Sequence, residues 1–186
     1  LLPFTPLLLP ELLTGVTLTS ATSIRVNPDG SIRLFGSSVD APATPGTAIA
    51  SGVIDTANSQ SLTTDTPEIN VIGDRVALIN TRLDASSPNQ GGTVRIGGDY
   101  QGQGTVPNAD FTYIDRASII NADGIGSADA GRVIVWADNT TQFLGNINAR
   151  GGSILGNGGF AEVSGKDNLV FRGNVDLSAA NGTVGS

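Results

Sequence analysis

Five aspartates within a short stretch are the groups of this sequence best suited to chemistry. They are Asp99, Asp110, Asp115, Asp123 and Asp129. Carboxylates brought together from separate turns of a chain could bind calcium, or could form the acid/base pair of a polysaccharide-cleaving enzyme. Such enzymes also use basic residues, and the sequence offers Arg116, Arg132 and Arg150, but no spacing selects them. A carbohydrate-active enzyme or sugar-binding module is therefore one hypothesis.

The competing interpretation is that these aspartates occupy turns, because Asp bonds its own backbone there and tolerates left-handed conformations. The pairs Asp138-Asn139, Asp167-Asn168 and Asn181-Gly182 have the same turn character. The repeated calcium-binding signature GGxGxD is absent. We therefore predict no catalytic residue, no metal site and no cofactor.

The glycine-rich run from Gly97 to Gly104 invites comparison with phosphate-binding loops. It lacks the Gly-Lys-Ser/Thr end of a P-loop and the GxGxxG spacing that opens a dinucleotide-binding helix. We interpret it as an excursion in which glycine permits positive φ and close approach of the backbone.

Four aromatic residues are candidates for a contact surface. Trp136, the only Trp, and Phe160 fall in outward-facing positions of the repeat described below, and Tyr100 and Tyr113 flank the glycine-rich run. Exposed aromatics can stack on sugar rings or anchor a partner. Alternatively, a loop covers Trp136 and Phe160, and the loop that carries Tyr100 and Tyr113 could do so.

Composition excludes several classes of function. The 186 residues include no Cys, His or Met, which excludes disulfides, thiolate and imidazole metal sites, and every His-dependent catalytic triad. The net charge of -7 disfavours nucleic acid and anionic membranes as partners. The missing Met leads us to expect a piece of a longer chain.

The residues of strands and turns dominate the sequence. Asp outnumbers Glu by 14 to 3, Arg outnumbers Lys by 9 to 1, and there are 25 Gly. Helix-favouring Glu, Lys and Met are thus nearly absent, which predicts an all-β protein with many short strands and tight turns.

An internal repeat predicts how those strands are arranged. The glycine-led strands at residues 91–96, 130–135 and 158–163 resemble one another, and Gly145-Asn146-Ile147 recurs 28 residues later as Gly173-Asn174-Val175. A third unit recurs as Leu83-Asp84-Ala85, Ile120-Asn121-Ala122 and Ile147-Asn148-Ala149. The first two glycine-led strands are 39 residues apart, and the 11 extra residues indicate a loop insertion near residues 98–113.

Aligning the copies gives two apolar columns, Val94/Val133/Ala161 and Ile96/Val135/Val163, on either side of the mixed column Arg95/Ile134/Glu162. This alternation is typical of strands with one buried face. A period near 28 with three strands per repeat favours a parallel β-helix, and spreading the chain over such coils predicts six or seven of them. A propeller or a sandwich fits the fixed offsets less well.

The beginning of the chain has a different character. Residues 1–13 are apolar but interrupted by prolines, so we predict an extended or capping segment over residues 1–19 and the repeat domain over 20–186. Around Asn27-Pro28-Asp29-Gly30, two alternating stretches predict a hairpin with Ile24, Val26, Ile32 and Leu34 facing inward.

Several of these motifs resemble one family. GGTVRIGGDYQGQGTVPNA, INADGIGSADAGRVIVWAD, FLGNINARGG, NGGFAEVSGKDNL and GNVDLSAANGTVG are similar to segments of filamentous haemagglutinin-type exoproteins of two-partner secretion, in the cyanobacterial form. The resemblance implies a right-handed parallel β-helix, exported through an outer-membrane transporter and displayed as a fibrous, adhesin-type protein at the cell surface.

The sequence departs from that family at one point. The Asn-Pro-Asn-type motifs of the family's secretion domain are absent, so we expect a segment of the fibre shaft that meets the transporter through a part outside this chain. A surface or glycan target and end-to-end association into filaments are further expectations. No membrane span is predicted.

Overall fold

The computed structural model describes backbone and side chains over residues 46–57 and 66–186, and the backbone of three short strands between residues 23 and 41. By backbone contacts the chain divides into two units, Leu1–Thr47 and Ala48–Ser186.

The first unit contains a small antiparallel sheet in the order β1-β2-β3, formed by Ser23–Val26, Ile32–Phe35 and Asp40–Ala41. Ile24 lies opposite Leu34 and Val26 opposite Ile32, which confirms the predicted hairpin pairing. The predicted inward orientation of those four side chains, and the segment at residues 1–19, lie outside the described residues. The domain boundary at residue 20 stays a prediction.

The second unit is a parallel β-solenoid of about four turns. Its strands are β4 (Thr47–Asp55), β5 (Glu68–Val71), β6 (Arg75–Asp84), β7 (Thr93–Ile96), β8 (Phe111–Ile114), β9 (Ile119–Asn121), β10 (Arg132–Ala137), β11 (Thr140–Phe143), β12 (Asn146–Asn148), β13 (Phe160–Gly165), β14 (Asn168–Phe171) and β15 (Asn174–Asp176). Each turn supplies three strand positions, the long β6 occupying two of them and β4 pairing with β6.

Equivalent residues of successive turns stack on one another. Along the first position β5, β7, β10 and β13 pair in parallel, with Val133 beside both Val94 and Ala161. At the third position Ile147 lies between Ile120 and Val175. The predicted 28-residue superposition is therefore confirmed.

The predicted number of coils was wrong, because the solenoid has about four turns instead of six or seven. The estimate divided the whole chain by 28 residues. The first 47 residues, however, belong to another unit, and the turn that starts at β7 is lengthened before β10 begins.

The core consists of side-chain columns enclosed by the three strand positions. The columns of β5, β7 and β10 are apolar, and Leu78, Ile114 and Phe143 form a further fully buried column. Two buried threonines interrupt the apolar pattern. Thr112 and Thr141 donate their hydroxyls to backbone carbonyls of Trp136 and Ser164, both at 2.7 Å, so neither hydroxyl is left unsatisfied in the core.

The predicted insertion is a loop between β7 and β8 that contains a single 3₁₀ turn, Tyr100–Gly102. The Asp99 carboxylate accepts the backbone N–H of Tyr100 and lies 3.1 Å from the Arg95 guanidinium. Gln101 N–H donates to the Glu162 carboxylate at 3.0 Å, which ties the loop to a strand two turns away. No helix of the described residues is long and apolar enough to cross a membrane.

Candidate functional site

A groove of about 910 Å³ runs along one corner of the solenoid. It lies where β6, β9, β12 and β15 end and the chain turns toward the next strand position. Because the strands end at the same level of each turn, their last residues form one column and the residues two positions later form a second. The groove is therefore a direct product of the repeat.

The first column holds Asp84, Asn121, Asn148 and Asp176, which are register partners on consecutive turns. Asn121 donates its side-chain amide to the Asp84 carboxylate at 3.2 Å, and Asn148 donates to the Asn121 amide oxygen at 2.9 Å. Arg82 also donates to the Asp84 carboxylate. A continuous hydrogen-bonded ladder thus runs across the turns.

The second column holds Ser86, Asp123, Arg150 and Ser178. The Asp123 carboxylate accepts the backbone N–H of Arg150 at 2.7 Å and also accepts its guanidinium through both oxygens, at 3.3 and 2.7 Å. A two-oxygen pairing of this kind fixes the plane of the guanidinium. The Arg82 and Arg150 side chains nevertheless keep 49% of their surface exposed.

These contacts shift the pKa values of charged residues in the two columns. Burial of the Asp84 carboxylate would raise its pKa, but hydrogen bonds from Ser86, Asn121 and Arg82 outweigh burial and leave the pKa below its usual value. Hydrogen bonding to Asp123 raises the pKa of Arg150, and hydrogen bonds from Ser178 lower the pKa of Asp176. These groups are consequently charged at neutral pH, with each arginine matched by a carboxylate.

The lowered pKa of Asp84 predicts a pH-dependent stability. A group whose pKa is depressed on folding stabilises the protein above its unfolded pKa, and that stabilisation is lost as the pH falls through the folded pKa. We expect Asp84→Asn to lower the free energy of unfolding by roughly 1 kcal/mol at pH 7, since Arg82 loses its charged partner. In denaturant titrations the difference from the wild type should shrink as the pH falls through the lowered pKa of Asp84 and disappear once that carboxyl is protonated in the folded protein.

The control for this experiment is Asp167→Asn, at an exposed turn position on another part of the solenoid. At pH 7 it should change the free energy of unfolding by much less than Asp84→Asn does, because the Asp167 side chain is exposed. An Asp84→Asn variant that keeps the wild-type acid dependence would contradict the assignment.

Only one of the five aspartates singled out from the sequence, Asp123, lines the groove. Asp99 caps the 3₁₀ turn, Asp115 accepts from Asn80 N–H and the Ser118 hydroxyl, and Asp129 accepts Asn157 N–H at 2.7 Å. Asp99 and Asp115 thus make local contacts at turns, whereas Asp115 and Asp129 also accept backbone N–H groups from neighbouring coils. Among the described residues, no group of three or more carboxylates, histidines or cysteines could hold a metal ion.

The Asp84 carboxylate does not have the character of the general acid in glycoside hydrolysis. A general acid needs a raised pKa to hold its proton near neutral pH, whereas the pKa of Asp84 is lowered. Asp123 is occupied by Arg150 through both oxygens. The arrangement suits recognition of hydroxyl groups better than proton transfer.

The predicted contact aromatics separate into different environments. Tyr100 and Phe160 form an edge-to-face pair with centroids 5.5 Å apart, and the Arg132 guanidinium lies over both rings, 5.7 and 5.1 Å from their centroids. Tyr100 is exposed, whereas Tyr113 is half-buried and burial raises the pKa of its hydroxyl. Tyr100 and Phe160 are thus brought together, and a role of the four aromatics in partner contact stays a prediction.

Trp136 lies beneath the insertion loop, with 8% of its surface exposed. Its indole N–H donates to the Asp138 carboxylate at 3.0 Å, and Asn108 donates to the same oxygen at 3.2 Å. Gly98 and Gly102 of the loop lie against the side chain, so that a Cβ on Gly102 would come within 2.7 Å of the indole ring.

Because Trp136 is the only Trp, its fluorescence reports on how the insertion loop packs over it. We expect blue-shifted fluorescence that acrylamide quenches poorly. Gly102→Ala should shift the emission to the red and increase quenching several-fold, because the new methyl group meets the indole and φ is +65°. Gly126→Ala, also at positive φ but in open space, is the matched control. Equal quenching of wild type and Gly102→Ala would contradict the described packing.

No motif in the sequence marks the groove residues Arg82, Asp84, Asn121 and Asn148 as a site. A signal was nevertheless present in the recurring unit Leu83-Asp84-Ala85, Ile120-Asn121-Ala122 and Ile147-Asn148-Ala149. Its apolar first and third positions lie in the core, and its polar middle position lines the groove. Recognising a polar column between two buried ones would have located the groove.

Comparison with solved structures shows a similarity in both sequence and fold. The chain resembles the HMW1 secretion domain from Haemophilus influenzae, with 34% sequence identity and a TM-score of 0.60 over 74% of this chain. It spans 36% of the length of that structure. No family model and no curated protein sequence matches the chain.

Proposed function

We propose that this chain is a β-solenoid segment of a secreted, adhesin-type structural protein that is displayed at the cell surface. The observation that carries the proposal is the 34% identity to a secretion domain over 74% of the chain, on a matching solenoid fold. The groove supports a structural role, since its Asp84 and Asp123 carboxylates pair with Arg82 and Arg150 in the wall of the solenoid.

The physical role of the segment is to be a stiff spacer. Backbone ladders run through every turn, and each turn packs on its neighbours, except that the insertion loop also reaches Glu162 two turns away. The repeating part can therefore be lengthened by adding turns without changing its cross-section. Few backbone groups are left open to a protease, because the described strands are paired on one or both sides. Such a rod can hold loops and side-chain columns away from a cell.

The partner for export is an outer-membrane transporter in this proposal. The neighbour is itself a secretion domain, but this sequence lacks Asn-Pro-Asn-type motifs. We therefore assign the chain to the shaft and the transporter contact to a part outside residues 1–186. The cyanobacterial character of the motifs belongs to the same proposal.

End-to-end association is a further part of the proposal. In the isolated chain, the outermost strands β14 and β15 each pair with another described strand on one side only, and Leu169, Phe171 and Val184 are exposed near this edge. Unpaired strand edges are templates for further pairing. Light scattering of the isolated chain should show mass that rises with concentration, and Leu169→Lys should abolish the rise. A strictly monomeric wild type would contradict this part alone.

The decisive experiment uses the producing cells. An antibody against the solenoid should label intact cells, and deletion of the outer-membrane transporter should remove the label while an unrelated surface protein stays labelled. A label that persists without the transporter would contradict the export route. A protein found only inside intact cells would contradict the whole proposal.

A further inference from the structure

We infer that the corner groove binds an uncharged oligosaccharide chain lying along the solenoid axis. This inference rests on the proposed function in one respect, since it supplies the class of target that the adhesin-type surface would hold. It depends otherwise only on the two polar columns and the charges of the groove.

The groove runs along the solenoid axis across consecutive turns, which favours a linear ligand. Its walls come from consecutive turns, which are spaced about 4.8 Å apart like the strands of any sheet. Each turn repeats a polar position, so a chain of similar units laid along the axis meets similar partners at each step. A single small molecule would use only a fraction of the groove.

The chemistry of the walls suits hydroxyl groups. A sugar hydroxyl both donates and accepts, and the columns offer both kinds of partner side by side. The half-exposed guanidiniums of Arg82 and Arg150 supply donors, while Asn148, Ser153 and Ser178 supply neutral groups of both kinds. The ladder from Asp84 through Asn121 holds Arg82 and Asn148 in place before a ligand arrives, and Asp123 holds Arg150. This pre-organisation lowers the entropy lost on binding.

The charge balance argues against an acidic polysaccharide. Asp84 and Asp123 already neutralise the two arginines of the groove, and Asp176 adds a negative charge near Arg150. The net charge of -7 on the chain would also repel a polyanion. A glycan without charges faces neither penalty.

An apolar contact is available on the same surface. Ile125 lines the groove and is 47% exposed, and Ala179 and Ala180 line it as well. The C–H faces of a pyranose ring can pack on such side chains while its hydroxyls meet the polar columns.

The test measures binding of cellohexaose and maltohexaose, two uncharged linear hexamers, to the full chain by calorimetry, with an oligogalacturonate of equal length as the charged counterpart. We expect at least one neutral hexamer to bind at millimolar concentration and the oligogalacturonate to bind at least tenfold more weakly. Arg150→Gln should weaken binding about tenfold or more. Ser178→Trp, which places an indole at an exposed groove position, should abolish binding.

Arg172→Gln is the matched control, since Arg172 is exposed and lies outside the groove. Thermal melts of the three variants show whether each is folded. The inference is overturned if neither neutral hexamer binds, if the oligogalacturonate binds more tightly, or if Arg172→Gln weakens binding as much as Arg150→Gln. None of these outcomes affects the transporter-dependent surface label, so failure of the groove and failure of the proposed function are distinguishable.

Discussion

Replacing Gly131 with Ala should destabilise the solenoid by about 3 kcal/mol or more, the upper end of the range for overpacking a closed site. Gly131 immediately precedes β10, and its backbone lies directly against the backbone of Gly91 and Gly92 in the neighbouring turn. A Cβ there would collide with the carbonyl oxygens of Gly91 and Gly92. These atoms are backbone, and the Gly92 carbonyl is held by Arg132 N–H at 2.9 Å, so no flexible side chain can move aside.

Gly126→Ala provides the comparison for Gly131→Ala. Gly126 has φ of +70° but nothing lies within 4 Å of its added Cβ, so its cost is conformational and amounts to about 1–2 kcal/mol. Urea denaturation of both variants separates the steric cost from the conformational one. If Gly131→Ala were no less stable than Gly126→Ala, the close stacking of turns at the glycines would be wrong.

The same close approach explains why the repeat could be found in the sequence. Gly92, Gly131 and Gly159 occupy equivalent positions, and each lies against the backbone of a neighbouring turn. A side chain is excluded at each, so glycine recurs there, and the apolar residues that follow must return to the core every second position. The 28-residue offset from Val133 to Ala161 is therefore readable without coordinates, and the register confirms it.

Other features depend on contacts that no local pattern encodes. The number of turns followed from the assumption that the repeat fills the chain, whereas the loop inserted between β7 and β8 and a separate first unit reduce it. The sequence placed Trp136 in an outward-facing position and left open whether the insertion loop covers it. Its burial depends on how the loop folds back over β10, through Asn108 and Asp138. Such a fold-back joins residues about 30 positions apart and leaves no periodic trace.

The groove was predictable in part, unlike the repeat, which the sequence reveals, and the loop contacts, which it does not. Its polar columns follow from the repeat, and their positions were visible in the sequence. The pairing of Arg150 with Asp123 and of Arg82 with Asp84 was not, since Arg, Asp, Ser and Asn replace one another along the columns with no fixed order. The repeat period of the sequence predicts where the polar columns lie. The contacts that each side chain makes there depend on which residues the fold brings together.

Phe143→Ala should remove about 3–5 kcal/mol of stability, the usual cost of truncating a buried Phe. Phe143 is fully buried in the column between Ile114 and Phe171, and it stacks on Phe171 with centroids 5.3 Å apart and an interplanar angle of 21°. Truncation leaves a cavity that neighbouring turns cannot close, because their spacing is fixed by the backbone ladders. The midpoint of thermal unfolding should fall by roughly 10 °C.

Phe171→Ala is the matched variant, because Phe171 belongs to the same column but is 47% exposed. It should cost about 1–2 kcal/mol, with little cavity term. The double variant then measures the coupling between the rings, which should be about 1 kcal/mol if the stacked pair contributes beyond its buried area. Equal losses for the two single variants would mean that Phe143 is not enclosed by the turns on both sides, and the enclosed column would have to be abandoned.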